Sequence, residues 1–303
     1  MNLIKKFAIL IAFLFTSQLA IAKPSALIDV EWLNNNLDNV FVLDIRNKID
    51  GGSYEIFKED HIPNSVHSDY LKAGWRKNVN GVIGQFPGTK SLDQLISSIG
   101  IKNTDHVIIV YGGVNSTDFG SAARIYWTFK TIGHENVSIL NGGFKEWKKA
   151  GYQTVSGENQ VTPSSFKSKL NKKYFASFSE VKKAEKEKNG LCLIDARPAS
   201  FFAGEKKTPE ARTAGRIKNA VNLEQQKTTS DNGKIKSKSE IKKMFTALQI
   251  DEYKGYISYC NTGHWAATVW FALSEQAEIP NVKLYDGGMV GWTVNPKNEV
   301  VSG

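Results

Sequence analysis

From Ser25 onward, short apolar runs alternate with amphipathic stretches. Val40 to Leu43, Val107 to Tyr111 and Val137 to Leu140 are brief, unbroken and rich in β-branched residues, which predicts strands buried on both faces. Leu92 to Ile99 and Ala122 to Thr131 carry apolar residues at helical spacing and predict helices. Strand and helix in alternation predict an α/β fold with a mostly parallel sheet flanked by helices.

The pattern occurs twice. Leu43-Asp44-Ile45-Arg46 returns as Ile194-Asp195-Ala196-Arg197, and His61-Ile62-Pro63-Asn64-Ser65-Val66 as Arg216-Ile217-Lys218-Asn219-Ala220-Val221. The stretch Leu140 to Trp147 returns as Leu284 to Trp292, with Gly142-Gly143 answered by Gly287-Gly288 and Trp147 by Trp292. Three markers in one order, twice, describe a duplicated domain of about 130 residues, an ordinary domain size. The predicted domains are 23–155 and 175–303. They are joined by a polar linker, 156–174, that holds Gly157, Pro163 and several lysines and has no apolar periodicity.

The first 22 residues stand outside this pattern. Lys5 and Lys6 precede an apolar run from Phe7 to Phe15, and Ala20-Ile21-Ala22 supplies small residues at the positions a signal peptidase reads. The expectation is cleavage after Ala22 and a periplasmic or secreted protein. The alternative is an uncleaved anchor, although the run falls short of the ~20 residues that span a bilayer. No later segment is long and apolar enough to insert stably in a membrane.

Charge changes the picture little. The chain of 303 residues carries a formal +9, and without Lys5 and Lys6 it keeps 37 basic residues against 30 acidic ones. The lysines are scattered and mixed with glutamates, as on a solvated face, with no stripe of arginines and aromatics to suggest a nucleic-acid partner. A weak pull on anionic substrates is the most this charge implies. The histidines have no metal-ligand spacing, so no metal site is predicted.

Two cysteines exist, Cys192 and Cys260. In an oxidising compartment they could pair. Their settings differ, however: Cys192 lies inside the apolar run 191–194, whereas Cys260 ends a strand and opens a polar loop before a helix. This favours two free thiols, one inert and one reactive. Backbone N–H groups of such a loop, pointing toward the sulfur, and the positive end of the helix would favour a thiolate, the nucleophilic form. Gly263 lets the loop close, Asn261 and Thr262 offer polar side chains, and His264 offers a proton or a charge near the sulfur. Trp265 lies at the pocket mouth or packs beside it, and Trp270 reads as core. The competing reading of Cys260 is an ordinary core residue after an apolar strand.

Taken together, the paired Asp-x-Arg, the His-Ile-Pro-Asn-Ser-Val segment, the strand–Cys–loop–helix and the late Gly-Gly with Trp resemble the tandem rhodanese family. That family includes thiosulfate and mercaptopyruvate sulfurtransferases, and the likeness runs from about Ser25 to the end of the chain. The resemblance implies that only the second domain is catalytic and that Cys260 carries sulfur as a persulfide at the head of a six-residue loop ending at Trp265. It also implies that Gly112 stands where the first half would have a cysteine, in a longer loop, so that the first half shapes one wall of a cleft.

Two positions depart from the family pattern. The loop reads Asn261-Thr262-Gly263-His264-Trp265 where the family tends to place basic or Gly-Val residues, and Phe201 stands where a second arginine is usual. Arg212 or Arg216 is a candidate replacement for that charge. Arg197 is expected either in an ion pair with Asp195 or in contact with substrate.

The implied function is sulfur transfer from a small anionic donor of the thiosulfate or 3-mercaptopyruvate type to a thiol, cyanide or a thioredoxin-like protein, with no cofactor. Two rivals remain: a phosphatase-type anion loop, which needs an arginine where this chain has Ala266, and a non-catalytic module that senses sulfur or holds a partner.

Overall fold

Parallel strands cannot be joined by tight turns, so each pair here is linked by a crossover that lays a helix on the sheet. A computed structural model describes residues 24–187 and 190–303. The signal peptide expected over residues 1–22 lies outside the described residues. In the first half, β1 (Leu27–Ile28), β2 (Phe41–Asp44), β3 (Val66–His67), β4 (Val107–Val110) and β5 (Val137–Leu140) form a sheet in the order β1-β5-β4-β2-β3. In the second, β6 (Leu191–Asp195), β7 (Val221–Asn222), β8 (Gly255–Tyr259) and β9 (Val282–Tyr285) follow the order β7-β6-β8-β9. Every pairing within both sheets is parallel. Among the described residues no helix is long and apolar enough to cross a membrane.

Helix α1 (Ser116–Thr131) follows β4, and α2 (His264–Phe271) follows β8. The first begins well before Ala122 because Asn115 caps it, its Oδ1 accepting from the N–H groups of Thr117 and Asp118. The second begins after Gly263, whose φ of +75° closes the loop as expected. α2 is apolar almost all round because it is sandwiched between its own sheet and α1. Phe271 meets Phe119 and Tyr126 edge-on at ring distances of 5.5 and 5.0 Å, and one buried apolar cluster runs through both halves.

The segment 156–174 forms no helix or strand, yet it is tied to the first half. Ser164 N donates to Ser97 O, Lys169 N to Ile132 O and Asn171 N to Thr131 O, while Phe166 and Tyr174 are buried.

The repeat is visible atom by atom. Asp44 accepts from the backbone N–H and Nε of Arg46, and Asp195 does the same for Arg197. Asn64 and Asn219 both take left-handed conformations, at φ 64° and 63°. Trp147 Nε1 donates to Gln153 O and Trp292 Nε1 to Glu299 O, each at 2.9 Å.

The register corrects one expectation. Asp44 pairs with Val110 and Asp195 with Tyr259, so the residue that corresponds to Cys260 is Tyr111, one position before Gly112. Hydrogen bonds agree: Phe144 N donates to Tyr111 O at 2.7 Å and Met289 N to Cys260 O at 2.8 Å. Gly112 corresponds to Asn261.

Candidate active site

Cys260 stands at the carboxyl end of the second sheet, where open parallel sheets place their ligands. It forms part of the floor of a cavity of about 300 Å³ whose walls include Asn261, Thr262, His264 and Trp265. The residue as a whole is 1% exposed, so its sulfur is almost enclosed at the base of that cavity. Both cysteines are free. Cys192 is enclosed in β6, where burial pushes its thiol up to about 12, in keeping with an inert core residue.

The loop after Cys260 is electrostatically open. Among the described residues, no acceptor takes the N–H of Asn261, Thr262 or Gly263, and none of the three donates to Cys260 Sγ itself. The expectation that these amides already point at the thiol is therefore corrected: they are available to something that extends beyond it. In the first half the corresponding amides are occupied. The carboxyl group of Asp118 accepts from Gly113 N at 2.7 Å and from Val114 N at 2.9 Å, filling that loop with a built-in acceptor, which burial pushes up to about 6. Tyr111, in the cysteine's place, spends its hydroxyl on Gly233 O and accepts from Gly142 N.

His264 is not the proton carrier expected from sequence. A carbonyl only accepts, so Nε2 must donate its hydrogen to Thr117 O at 2.8 Å, which leaves Nδ1 to accept from the Tyr70 hydroxyl at 2.7 Å. Burial, reinforced by Arg76, pushes the imidazole down to about 3. It is a neutral wall that links the two halves.

Arg197 does not reach the cavity either. Its guanidinium is consumed by Asp195, at 2.6 Å, and by Gly215 O, at 2.8 Å, with a long hydrogen bond to Asn261 Oδ1 at 3.5 Å and the Phe201 ring centroid 6.0 Å away. Its role is to brace the strand end and the loop's first side chain. Gly263 shapes the loop without lining the cavity. Trp265 lines the cavity, with Nε1 donating to Thr117 Oγ1, and Phe201 meets it edge-on at 6.2 Å. Trp270 is core, bonded to Val282 O.

Neither candidate replacement for the missing arginine lines this cavity. Arg216 bonds the carbonyls of Phe202 and Gly303, and Arg212 is exposed. The cation that does line it, Arg76, comes from the first half, with Ile49 and Thr117. Nothing local in the sequence marks Arg76, because only the docking of the halves brings it to Cys260. A second first-half arginine, Arg124, is buried behind the loop. A Cβ added to Gly263 would lie 2.4 Å from its Nη1, and its Nη2 faces Asp286 Oδ2 at 3.5 Å. Asp286 in turn accepts from Phe86 N at 2.6 Å, which ties the end of a first-half hairpin to the second half.

Comparison with known proteins places these features. The rhodanese-like domain profile matches residues 29–150 and 177–295. A protein of Saccharopolyspora erythraea, provisionally named a thiosulfate sulfurtransferase, is 30% identical over 280 residues, covering 90% of this chain and 93% of the relative. Thiosulfate sulfurtransferase of Bos taurus is 29% identical over 78% of each chain. Among solved structures, the 3-mercaptopyruvate sulfotransferase SseA from Escherichia coli superposes with a TM-score of 0.77 at 25% identity, covering 88% of this chain and 99% of its own.

Proposed function

The chain belongs to the rhodanese family and is a sulfurtransferase, and from that premise we propose that sulfur crosses it as a persulfide on Cys260. The observation that carries this reading is the contrast between the two loops: the first has its amides occupied by Asp118, while the second leaves the equivalent N–H groups open beside a free thiol.

In the first step the Cys260 thiolate attacks the outer sulfur of a small anionic donor. With thiosulfate the S–S bond breaks and sulfite leaves with the electron pair. With 3-mercaptopyruvate the C–S bond breaks, and the enolate of pyruvate leaves and is protonated on carbon. Either way Cys260 gains one sulfur, and the negative charge the thiolate carried moves onto it, a bond length of ~2 Å beyond Sγ. That is where the unengaged amides and the N-terminus of α2 can stabilise it. In the second step a thiol, cyanide or a thioredoxin-like protein attacks the outer sulfur, and Cys260 returns as a thiolate. The leader proposed for residues 1–22 would place this chemistry in the periplasm or outside the cell, where enclosure of Cys260 limits adventitious oxidation.

Intact mass after incubation with each donor tests the reading. The wild type and Cys192→Ser gain one sulfur atom, and Cys260→Ser gains none and loses at least a thousandfold in turnover. Sulfur retained on Cys260→Ser would refute the assignment.

A further inference from the structure

We infer that Arg76, supplied by the first half, is the residue that recognises the anionic oxygens of the sulfur donor. This rests on the sulfur-transfer reading above and deepens it. Four observations converge on Arg76. It is the cationic side chain among the residues lining the Cys260 cavity, since His264 is held neutral there. No carboxylate among the described residues forms an ion pair with it, and its Nε is buried without an acceptor. Its guanidinium lies 4.7 Å from the ring centroid of Tyr70, which fixes its plane without using its hydrogen-bond donors. Tyr70 is itself fixed through His264.

The second half offers no substitute. Arg197 is paired to Asp195, Phe201 occupies the position where a second arginine was expected, and neither Arg212 nor Arg216 lines the cavity. Arg124 lies behind Gly263 and does not line the cavity. A partnered arginine would be structural, whereas a free planar fork of donors facing a nucleophilic thiol is a receptor for two oxygens of one anionic group. A carboxylate and the sulfonate end of thiosulfate share that chemistry. Glu210 on the rim, its carboxylate bonded to the Thr208 hydroxyl, opposes anions at the mouth and leaves Arg76 as the attractive charge inside. Donor selection is thus assigned to one half and sulfur carriage to the other.

Arg76→Gln and Arg76→Lys test this in the full chain, with thiosulfate and 3-mercaptopyruvate as anionic donors and an uncharged dialkyl trisulfide, which leaves an alkyldisulfanyl group on Cys260 and releases an alkanethiolate, as the neutral one, and with loading of Cys260 followed by mass and by initial rate. Loss of one charge-assisted interaction raises KM for the anionic donors by about 10- to 100-fold in Arg76→Gln, with a much smaller change in kcat. Arg76→Lys recovers part of the loss, and the trisulfide loads all three proteins at the same rate. Whichever anionic donor suffers more identifies the oxygen set the arginine fits. An unchanged KM in Arg76→Gln, or an equal loss with the uncharged donor, overturns the inference. A wild type that takes sulfur from the trisulfide and from neither anion also overturns it while leaving sulfur transfer intact. A wild type that loads from no donor overturns the function itself.

Discussion

With Tyr70 donating to one ring nitrogen and the Thr117 carbonyl accepting from the other, His264 gains nothing from a second proton. The ring stays neutral in the folded chain down to about pH 3, whereas an unfolded histidine protonates near pH 6.5. Unfolding therefore takes up a proton in that window. The stability this residue contributes is complete above pH 6.5 and is lost as the pH falls toward 3. The excess melting temperature of the wild type over His264→Gln should accordingly shrink between pH 7 and pH 4. A difference that stays constant across that range would show that the ring titrates normally. The same geometry predicts no histidine inflection from His264 in the pH profile of sulfur loading.

At the scale of elements, the hairpin formed by Lys77–Val79 and Val82–Gln85 presses on the catalytic loop. Gly84, at φ +79°, leaves no room for a side chain: an added Cβ would lie 2.8 Å from Thr262 O. Gly81 shares that backbone region, at φ +84°, and an added Cβ there would meet nothing. Ala at either site costs about 1–2 kcal/mol of backbone strain, but only Gly84→Ala should displace the loop, slowing sulfur loading by roughly 10- to 100-fold. Equal loading rates in the two variants would contradict this coupling.

Much of the element layer was legible in sequence. Val107 to Val110 and Val137 to Leu140 are doubly buried strands and read as unbroken apolar runs. The start of α1 was missed because Asn115, a capping signal, sits in a stretch that resembles a loop. The equivalence of Tyr111 and Cys260 was also hidden. The first-half loop is longer, so the sequence alone puts Gly112 in the cysteine's place, and only strand register resolves the shift of one. Arg76, His264 as a neutral bridge and Asp118 as an internal acceptor were illegible for a common reason: each depends on a partner brought near by folding.

The whole molecule behaves as two copies of a fold that share an interior. α1 and α2 pack face to face, the apolar cluster is continuous between the sheets, and the cavity takes walls from both halves. Residues 175–303 expressed alone would expose Phe271 and its neighbours and would lack Arg76 and Thr117. That fragment should aggregate or fail to load sulfur, while the separately made halves should regain loading when mixed. A soluble, fully active fragment would show that the first half is dispensable.

The carboxylate of Asp118 has a broader consequence. One member of the duplicated pair has its loop donors permanently taken up by a side chain of its own. The other keeps the equivalent donors unengaged, and in the proposed cycle they receive an outer sulfur and release it again. Duplication has thereby separated a copy whose loop stays filled from a copy whose loop fills and empties. The invariant one can serve as a mould against which its twin is shaped.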